Sequence, residues 1–241
     1  PPVNALRPRF ARLPVPVVAA IHGVCVGGGL ELILACHYRI ATRDDGTRIG
    51  FPEVKLGIFP GFNGTARSIK QVGPMAAMTN MLTGGMIRAS AAKAAGWLDQ
   101  LVNSPGELRW AARKAVLQNR KSEPAGFTKA LMTKQPVRGF LARKMREETS
   151  KKAREDHYPA PFRLIDLFEK HGGNLDAMKT AETKAFAPLM VSDTSRNLRR
   201  VFRLTEVLKG QAPKGLKWRP SRVHVIGAGT MGADIAGVCV A

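Results

Sequence analysis

Acid is scarce in this 241-residue chain: 18 Asp and Glu stand against 38 Lys and Arg, for a formal charge of +20. The shortage rules out an acidic solvating tail and gives weight to any carboxylate set inside an apolar segment. Aromatic residues are also few, at 6%. No helix-turn-helix, zinc-finger or RNA-recognition signature accompanies the positive charge, which argues against nucleic acid as the partner. The three cysteines, Cys25, Cys36 and Cys239, lie in apolar surroundings without metal spacing. They exclude a disulfide framework and a zinc site, and read as buried thiols in a reducing interior. The five histidines do not cluster, so no metal site is expected; His22 reads as a packed core residue, and His157 and His224 as structural. No apolar run is long enough to span a bilayer, and neither terminus carries a signal-peptide pattern.

What remains is a chain with 44% hydrophobic residues, enough for a core in one or two domains. The basic clusters at Arg138–Arg154 and Arg196–Arg203 have helical polar/apolar spacing and read as solvated helix faces. A basic entrance would also steer a polyanionic ligand.

Two glutamates stand in glycine-bounded settings. Glu31 closes the run Gly27-Gly28-Gly29-Leu30-Glu31, and Glu53 lies in Phe51-Pro52-Glu53-Val54-Lys55-Leu56-Gly57. Val15–Ile21, with Pro before it and Gly after, suits a buried strand. The glycines then break the extended pattern, and Leu30 to Ala35 start an apolar helix with Glu31 in its first turn. A helix N-terminus presents unpaired N–H groups and the positive dipole end, so an oxygen gaining negative charge is stabilised there. Alone, Glu31 would do no more than complement the dipole, and Glu53 would be a loop carboxylate. Together they outline an acid/base site.

The ordered series from Pro14 through His22-Gly23, Gly27–Glu31, Phe51–Gly57, Pro60-Gly61-Phe62-Asn63-Gly64-Thr65, Leu82–Gly85 and Ala91–Asp99 closely resembles the enoyl-CoA hydratase (crotonase) family. The resemblance implies an α/β fold, a spiral of strand-strand-helix turns. It implies that Gly28 supplies one of two N–H donors to the thioester oxygen of acyl-CoA. Glu31 would deprotonate the water that attacks the β-carbon, and Glu53 would protonate the α-carbon. Relatives that only isomerise often lack one of these glutamates, so the pair favours hydration.

Farther on, Val223–Ile226 runs into Gly227-Ala228-Gly229-Thr230-Met231-Gly232 and a helix-like stretch. Strand, G-x-G-x-x-G and helix in this order suit a pyrophosphate at a helix N-terminus. With the segments His157–Pro161, Glu182–Leu189 and Ser192–Phe202, this order resembles bifunctional hydratase/3-hydroxyacyl-CoA dehydrogenases of fatty acid β-oxidation. That resemblance implies NAD as cofactor, held by Gly227, Gly229, Thr230, Met231 and Gly232, and a thiolase subunit as partner.

The expected organisation is a hydratase-like domain over 1–190, a helical connector and linker over 191–220, and the start of a Rossmann domain over 221–241. Helices are expected at Glu107–Asn119, Pro136–Lys152 and Leu164–His171, and the connector Ala181–Lys209 turns Leu189, Leu198, Phe202 and Leu208 inward. Two departures from the family pattern shape the expectation. The nicotinamide site is incomplete at Ala241. Pro1–Leu6 resembles the first strand region but runs straight into Arg7–Leu13, so an internal deletion near residues 6–7 removes the loop with the second N–H donor. Exposed apolar surface around Val15–Ile21 and Leu32–Leu34, and self-association, follow from that deletion. The compartment that best suits the chain is the cytoplasm, with peroxisome or mitochondrion as alternatives. A catalytically inactive remnant with an interaction role is the competing functional class.

Overall fold

The structure is a computed structural model that describes residues 13–211, 221–227 and 229–240. The expected deletion at residues 6–7 and the linker over 212–220 lie outside the described residues. The fold divides into two units, residues 1–202 and 203–241.

The first described elements are β1 (Val18–Ile21), β2 (Val24–Val26) and α1 (Gly28–Ile33). The chain continues with β3 (Tyr38–Thr42), β4 (Arg48–Gly50) and a 3-10 turn at Pro52–Leu56. Next come α2 (Gly64–Val72), α3 (Pro74–Thr83), β5 (Met86–Arg88), α4 (Ala89–Ala95) and β6 (Gln100–Val102). The strands form two three-stranded sheets, ordered β1-β3-β6 and β2-β4-β5. The first four strands alternate between the two sheets, β5 stays beside β4 and β6 returns to the first sheet, which is the expected strand-strand-helix spiral. The first sheet is parallel throughout, with Val18 opposite Tyr38 and Ile40 opposite Gln100. In the second, Cys25 lies opposite Ile49 in parallel and Ile49 opposite Ile87 in antiparallel register.

The short strands feed two buried clusters: Ile21, Ala41 and Ile49 enter the main core, and Ile40 and Val102 pack with Leu108, Ala111 and Ala115 of the helix that follows β6. Leu30, Phe51, Phe59, Trp97, Phe162 and Phe168 are all buried, and Phe51 meets Trp97 edge-on at 6.1 Å. On the first sheet, buried Arg39 is matched by Asp99. The Asp99 carboxylate accepts the Arg39 backbone N–H at 2.7 Å and its guanidinium at 3.3 Å.

Helices α5 (Pro105–Leu117), α6 (Phe127–Leu131), α7 (Val137–Ser150) and α8 (Pro159–His171) follow. Pro159 at the first turn starts α8 ahead of the expected Leu164, where a missing N–H costs nothing. Helix α9 (Leu175–Met190) opens with Asn174, whose side chain accepts from the Asp176 and Ala177 amides. It packs on α8 and on α2.

The connector is not one inward-facing helix. α9 ends at Met190 and α10 (Asp193–Gly210) starts anew, because the Ser192 hydroxyl caps the Ser195 amide at 3.2 Å. Leu189 is buried and Leu198 half-buried, but Phe202 and Leu208 are exposed, with nothing among the described residues covering that stripe.

Three further expectations are corrected. Cys25 and Cys36 are half-buried and Cys239 is exposed. The short strands and the six-residue α1 leave Cys25 and Cys36 at the margin of the core. His22 is exposed rather than packed, since its imidazole leaves the β1–β2 turn to lie 3.1 Å from Thr42 Oγ1 and 3.2 Å from Asp44 Oδ2. In the second unit Val223–Ile226 is exposed and forms no strand, for among the described residues of that unit no second strand offers a ladder. The helix after the glycines does form, as α11 (Thr230–Val240). The expected apolar exposure is mixed: Val15 and Leu32 are exposed, whereas Ile21, Ile33 and Leu34 are buried.

Candidate active site

Strand β2 delivers the chain to Gly27, whose amide still donates to Gly50 O at 3.1 Å. Gly27 then turns at φ 55°, ψ −127°, a region all but reserved for glycine, and α1 begins. Gly28 is the first helical residue and is exposed. Glu31 occupies the first turn, its backbone N–H donating to Gly27 O at 3.0 Å, and the residue is 1% exposed.

The loop before α2 receives that carboxylate. Glu31 Oε1 accepts from the Phe62 amide at 2.8 Å and from the Gly64 amide at 2.9 Å. Gly64 is required there, since a Cβ would sit 2.6 Å from both Cγ and Oε1 of Glu31. Asn63 between them takes a left-handed φ of 70°.

Glu53 comes from the 3-10 turn that follows β4. Its Oε1 lies 3.1 Å from where a Cβ of Gly27 would be. Its Oε2 is buried without a hydrogen-bond partner from the protein. Burial pushes the Glu53 carboxyl up to about 7, against the pull of a backbone amide and with the help of the Glu31 charge. The structure thus sets Glu53 against the Gly27 turn that leads into Gly28, and within electrostatic reach of Glu31.

A third carboxylate joins them without having been singled out in the sequence. Glu182 on α9 is 0% exposed. Its Oε1 accepts from the Asn63 amide, and its Oε2 from the Thr65 amide at 3.1 Å. Burial pushes it up to about 8, with the Glu31 charge adding to the effect and the Thr65 hydroxyl and the two amides opposing it. A signal for it exists: Met178, Ala181, Glu182, Ala185, Phe186 and Leu189 recur at helical spacing, so Glu182 is the one carboxylate on an apolar stripe.

An apolar groove of about 430 Å³ runs beside the 3-10 turn, lined by Val54, Met75, Leu82, Leu141 and Met145 with Lys55, Lys144 and Lys152 among its polar residues. Neither Glu31 nor Glu53 lines it.

In the second unit, Gly227 has φ 112° and a Cβ on Gly232 would meet Gly227 O at 1.9 Å, so the turn admits only glycine at that point. The Gly232 amide donates to Gly229 O at 2.9 Å, Thr230 opens α11, and Met231 is exposed. The turn suits a phosphate, but the segment before it is not held in a sheet. Among the described residues no group of His, Cys, Asp and Glu is placed to hold a metal, and no helix is long and apolar enough to cross a membrane.

Among solved structures, an enoyl-CoA hydratase from Mycobacterium avium subsp. paratuberculosis K-10 matches with a TM-score of 0.57 at 19% identity. The match covers 84% of this chain and 69% of that one. A candidate enoyl-CoA hydratase from Streptomyces avermitilis matches with a TM-score of 0.53 at 21% identity, covering 91% of this chain and 63% of that one. The chain thus spans roughly two thirds of the length of these structures, and at such identity the likeness is one of fold. Residues 1–155 match the family described as enoyl-CoA hydratase/isomerase. Because that match covers well over half of the sequence and takes in both Glu31 and Glu53, the chain belongs to the enoyl-CoA hydratase/isomerase family.

Proposed function

We propose that the site adds water to 2-enoyl-CoA thioesters, giving 3-hydroxyacyl-CoA. The observation that carries this reading is the unequal state of two neighbouring carboxyls. Glu53 is half-buried, its carboxyl is pushed up to about 7 and its Oε2 is buried without a protein partner, while Glu31 has Oε1 committed to two backbone amides. Unequal carboxyls side by side are what divides acid from base. Glu31 takes a proton from water as its oxygen bonds to the β-carbon, and Glu53 gives a proton to the α-carbon. Gly28 N–H, by family resemblance, stabilises the charge that develops on the thioester oxygen. The net change is one water added; proton exchange with solvent restores both carboxyls. Consumption of crotonyl-CoA, followed as loss of enoyl absorbance, tests the reading.

The competing reading, an inactive remnant with an interaction role, is favoured by the exposure of Val15, Val24 and Leu32 and by the edge position of β1 and β2 in their sheets. An absence of crotonyl-CoA turnover would move the account to it. The finer proposal is that this chain corresponds to the hydratase part of a longer enzyme of the family, in which hydration is coupled to NAD-dependent oxidation and to a thiolase subunit; it is supported by the order of motifs, with Gly227–Gly232 following the helical connector. No step of the hydration runs through NAD.

A further inference from the structure

The four consecutive amides of Phe62, Asn63, Gly64 and Thr65 are shared alternately by two carboxylates. Glu31 takes Phe62 and Gly64; Glu182 takes Asn63 and Thr65. Asn63 is left-handed and Gly64 opens α2, so the two carboxyls together take the amides of the loop and of the first turn of the helix. Four residues beyond Glu182 on the same helix, Phe186 adds a second point of attachment. Its ring lies 2.6 Å from where a Cβ of Gly61 would be, and 6.2 Å from the rings of Phe59 and Phe62. Glu182 and Phe186 stand one helical turn apart and face the same loop.

We propose that Glu182 is a positioning residue, whose buried carboxyl group clamps the loop so that the Phe62 and Gly64 amides hold Glu31 in working alignment with Glu53. The inference rests on the hydratase reading of that pair. A need for core packing does not explain Glu182, because the stripe of Met178, Ala181, Ala185 and Leu189 would accept an apolar residue there at no desolvation cost. Nor does a local cap serve, since Asn63 precedes α2 in a left-handed conformation and its side chain makes no capping bond. The α2 N-terminus is instead satisfied from a helix 117 residues away in sequence. That choice ties the place of the loop to the place of α9, and the tie passes directly to Glu31. The family match ends at residue 155, before Glu182, so the clamp comes from outside the matched segment.

The test uses the full chain with Glu182→Gln and Glu182→Asp. A glutamine side chain offers one acceptor and turns an N–H group on the other amide, so one of the two bonds is lost. Amide hydrogen exchange by NMR is the first readout. In Glu182→Gln, exchange should quicken about tenfold at Phe62 and Gly64 as well as at Asn63 and Thr65, the change that follows from one lost hydrogen bond. Ile40 and Phe168 should keep their rates. The second readout is crotonyl-CoA hydration, where kcat should fall about 10- to 100-fold with KM within about twofold, and Glu182→Asp should recover part of the loss. A residue that serves folding alone would lower the melting temperature and leave kcat of the folded variant unchanged. That result, or faster exchange confined to Asn63 and Thr65, overturns the proposal. Should neither variant fold, the unsubstituted chain decides: one shared opening rate for the four amides supports the clamp, and separate rates for the two pairs overturn it. Shared exchange without any hydration retires the hydratase reading and keeps the clamp.

Discussion

Glu53 Oε1 lies 3.1 Å from the point where a side chain on Gly27 would begin. The glycine turn that starts α1 is therefore also the wall against which the candidate acid rests. Gly27→Ala should displace Glu53 and strain a backbone at φ 55°, ψ −127°. A shift of about 1 Å at a reacting group costs up to about 100-fold in rate, and the strain costs on the order of 1–3 kcal/mol. Gly23→Ala is the control: its φ is also positive, at 76°, but nothing lies within 4 Å of the added Cβ. Both variants should lose stability to urea, and only Gly27→Ala should lose kcat.

Stability should fall as pH rises from about 5 to 8.5. Glu53 and Glu182 titrate in the folded chain near 7 and 8, against an ordinary value of 4.5. Above 4.5 the unfolded chain releases these protons while the folded chain keeps them, so each step up in pH favours unfolding. The contribution is complete below 4.5 and is lost through the two folded-state values. Denaturation midpoints across this window should decline, and the decline should flatten in a Glu53→Gln, Glu182→Gln double variant. A midpoint that climbs through the window would contradict the raised values of the two carboxyls.

Asp99→Ala should be among the most damaging changes away from the site. It removes the acceptor of the Arg39 amide and guanidinium, and the Arg39 side chain is 2% exposed. Leaving one charge of a buried pair uncompensated costs about 3–5 kcal/mol. Urea denaturation of Asp99→Ala reads the loss directly, and a change within about 0.5 kcal/mol would show that water reaches Arg39.

NAD should not bind this chain with a micromolar dissociation constant. Gly227 and Gly232 form a turn that admits close approach, but Val223–Ile226 is exposed and forms no strand to hold it. A phosphate turn without a supporting sheet loses preorganisation. Isothermal titration with NAD should give no measurable heat at micromolar protein, and saturable micromolar binding would refute the point.

The part of the fold that repeats local rules was legible in the sequence. Gly27–Gly29 broke a strand and began a helix with Glu31 in its first turn, and the spacing of Leu108, Ala111, Ala112, Ala115 and Val116 marked α5, of which Leu108, Ala111 and Ala115 are buried while Ala112 is half-buried and Val116 exposed. Residues whose place depends on distant partners were not. Phe202 and Leu208 keep helical spacing yet remain exposed, because periodicity marks a face without supplying its cover. Val223–Ile226 has strand composition, but a strand exists only when another lies beside it. Glu182 carries its signal in the stripe it interrupts, while the loop it reaches lies more than a hundred residues earlier in the chain.

The central claim is that Glu31 and Glu53 act as one acid/base pair on an enoyl thioester. Crotonyl-CoA hydration by the chain, measured as loss of enoyl absorbance beside Glu31→Gln and Glu53→Gln, tests it most directly. With Gly28 as the one N–H donor that the described residues supply by resemblance, turnover should be slow by about 10²–10³ relative to a site with two donors. It should disappear in either variant, and its alkaline limb should fall near pH 7, where Glu53 gives up its proton. Turnover that persists in both variants, or no turnover in the unsubstituted chain, would contradict the account.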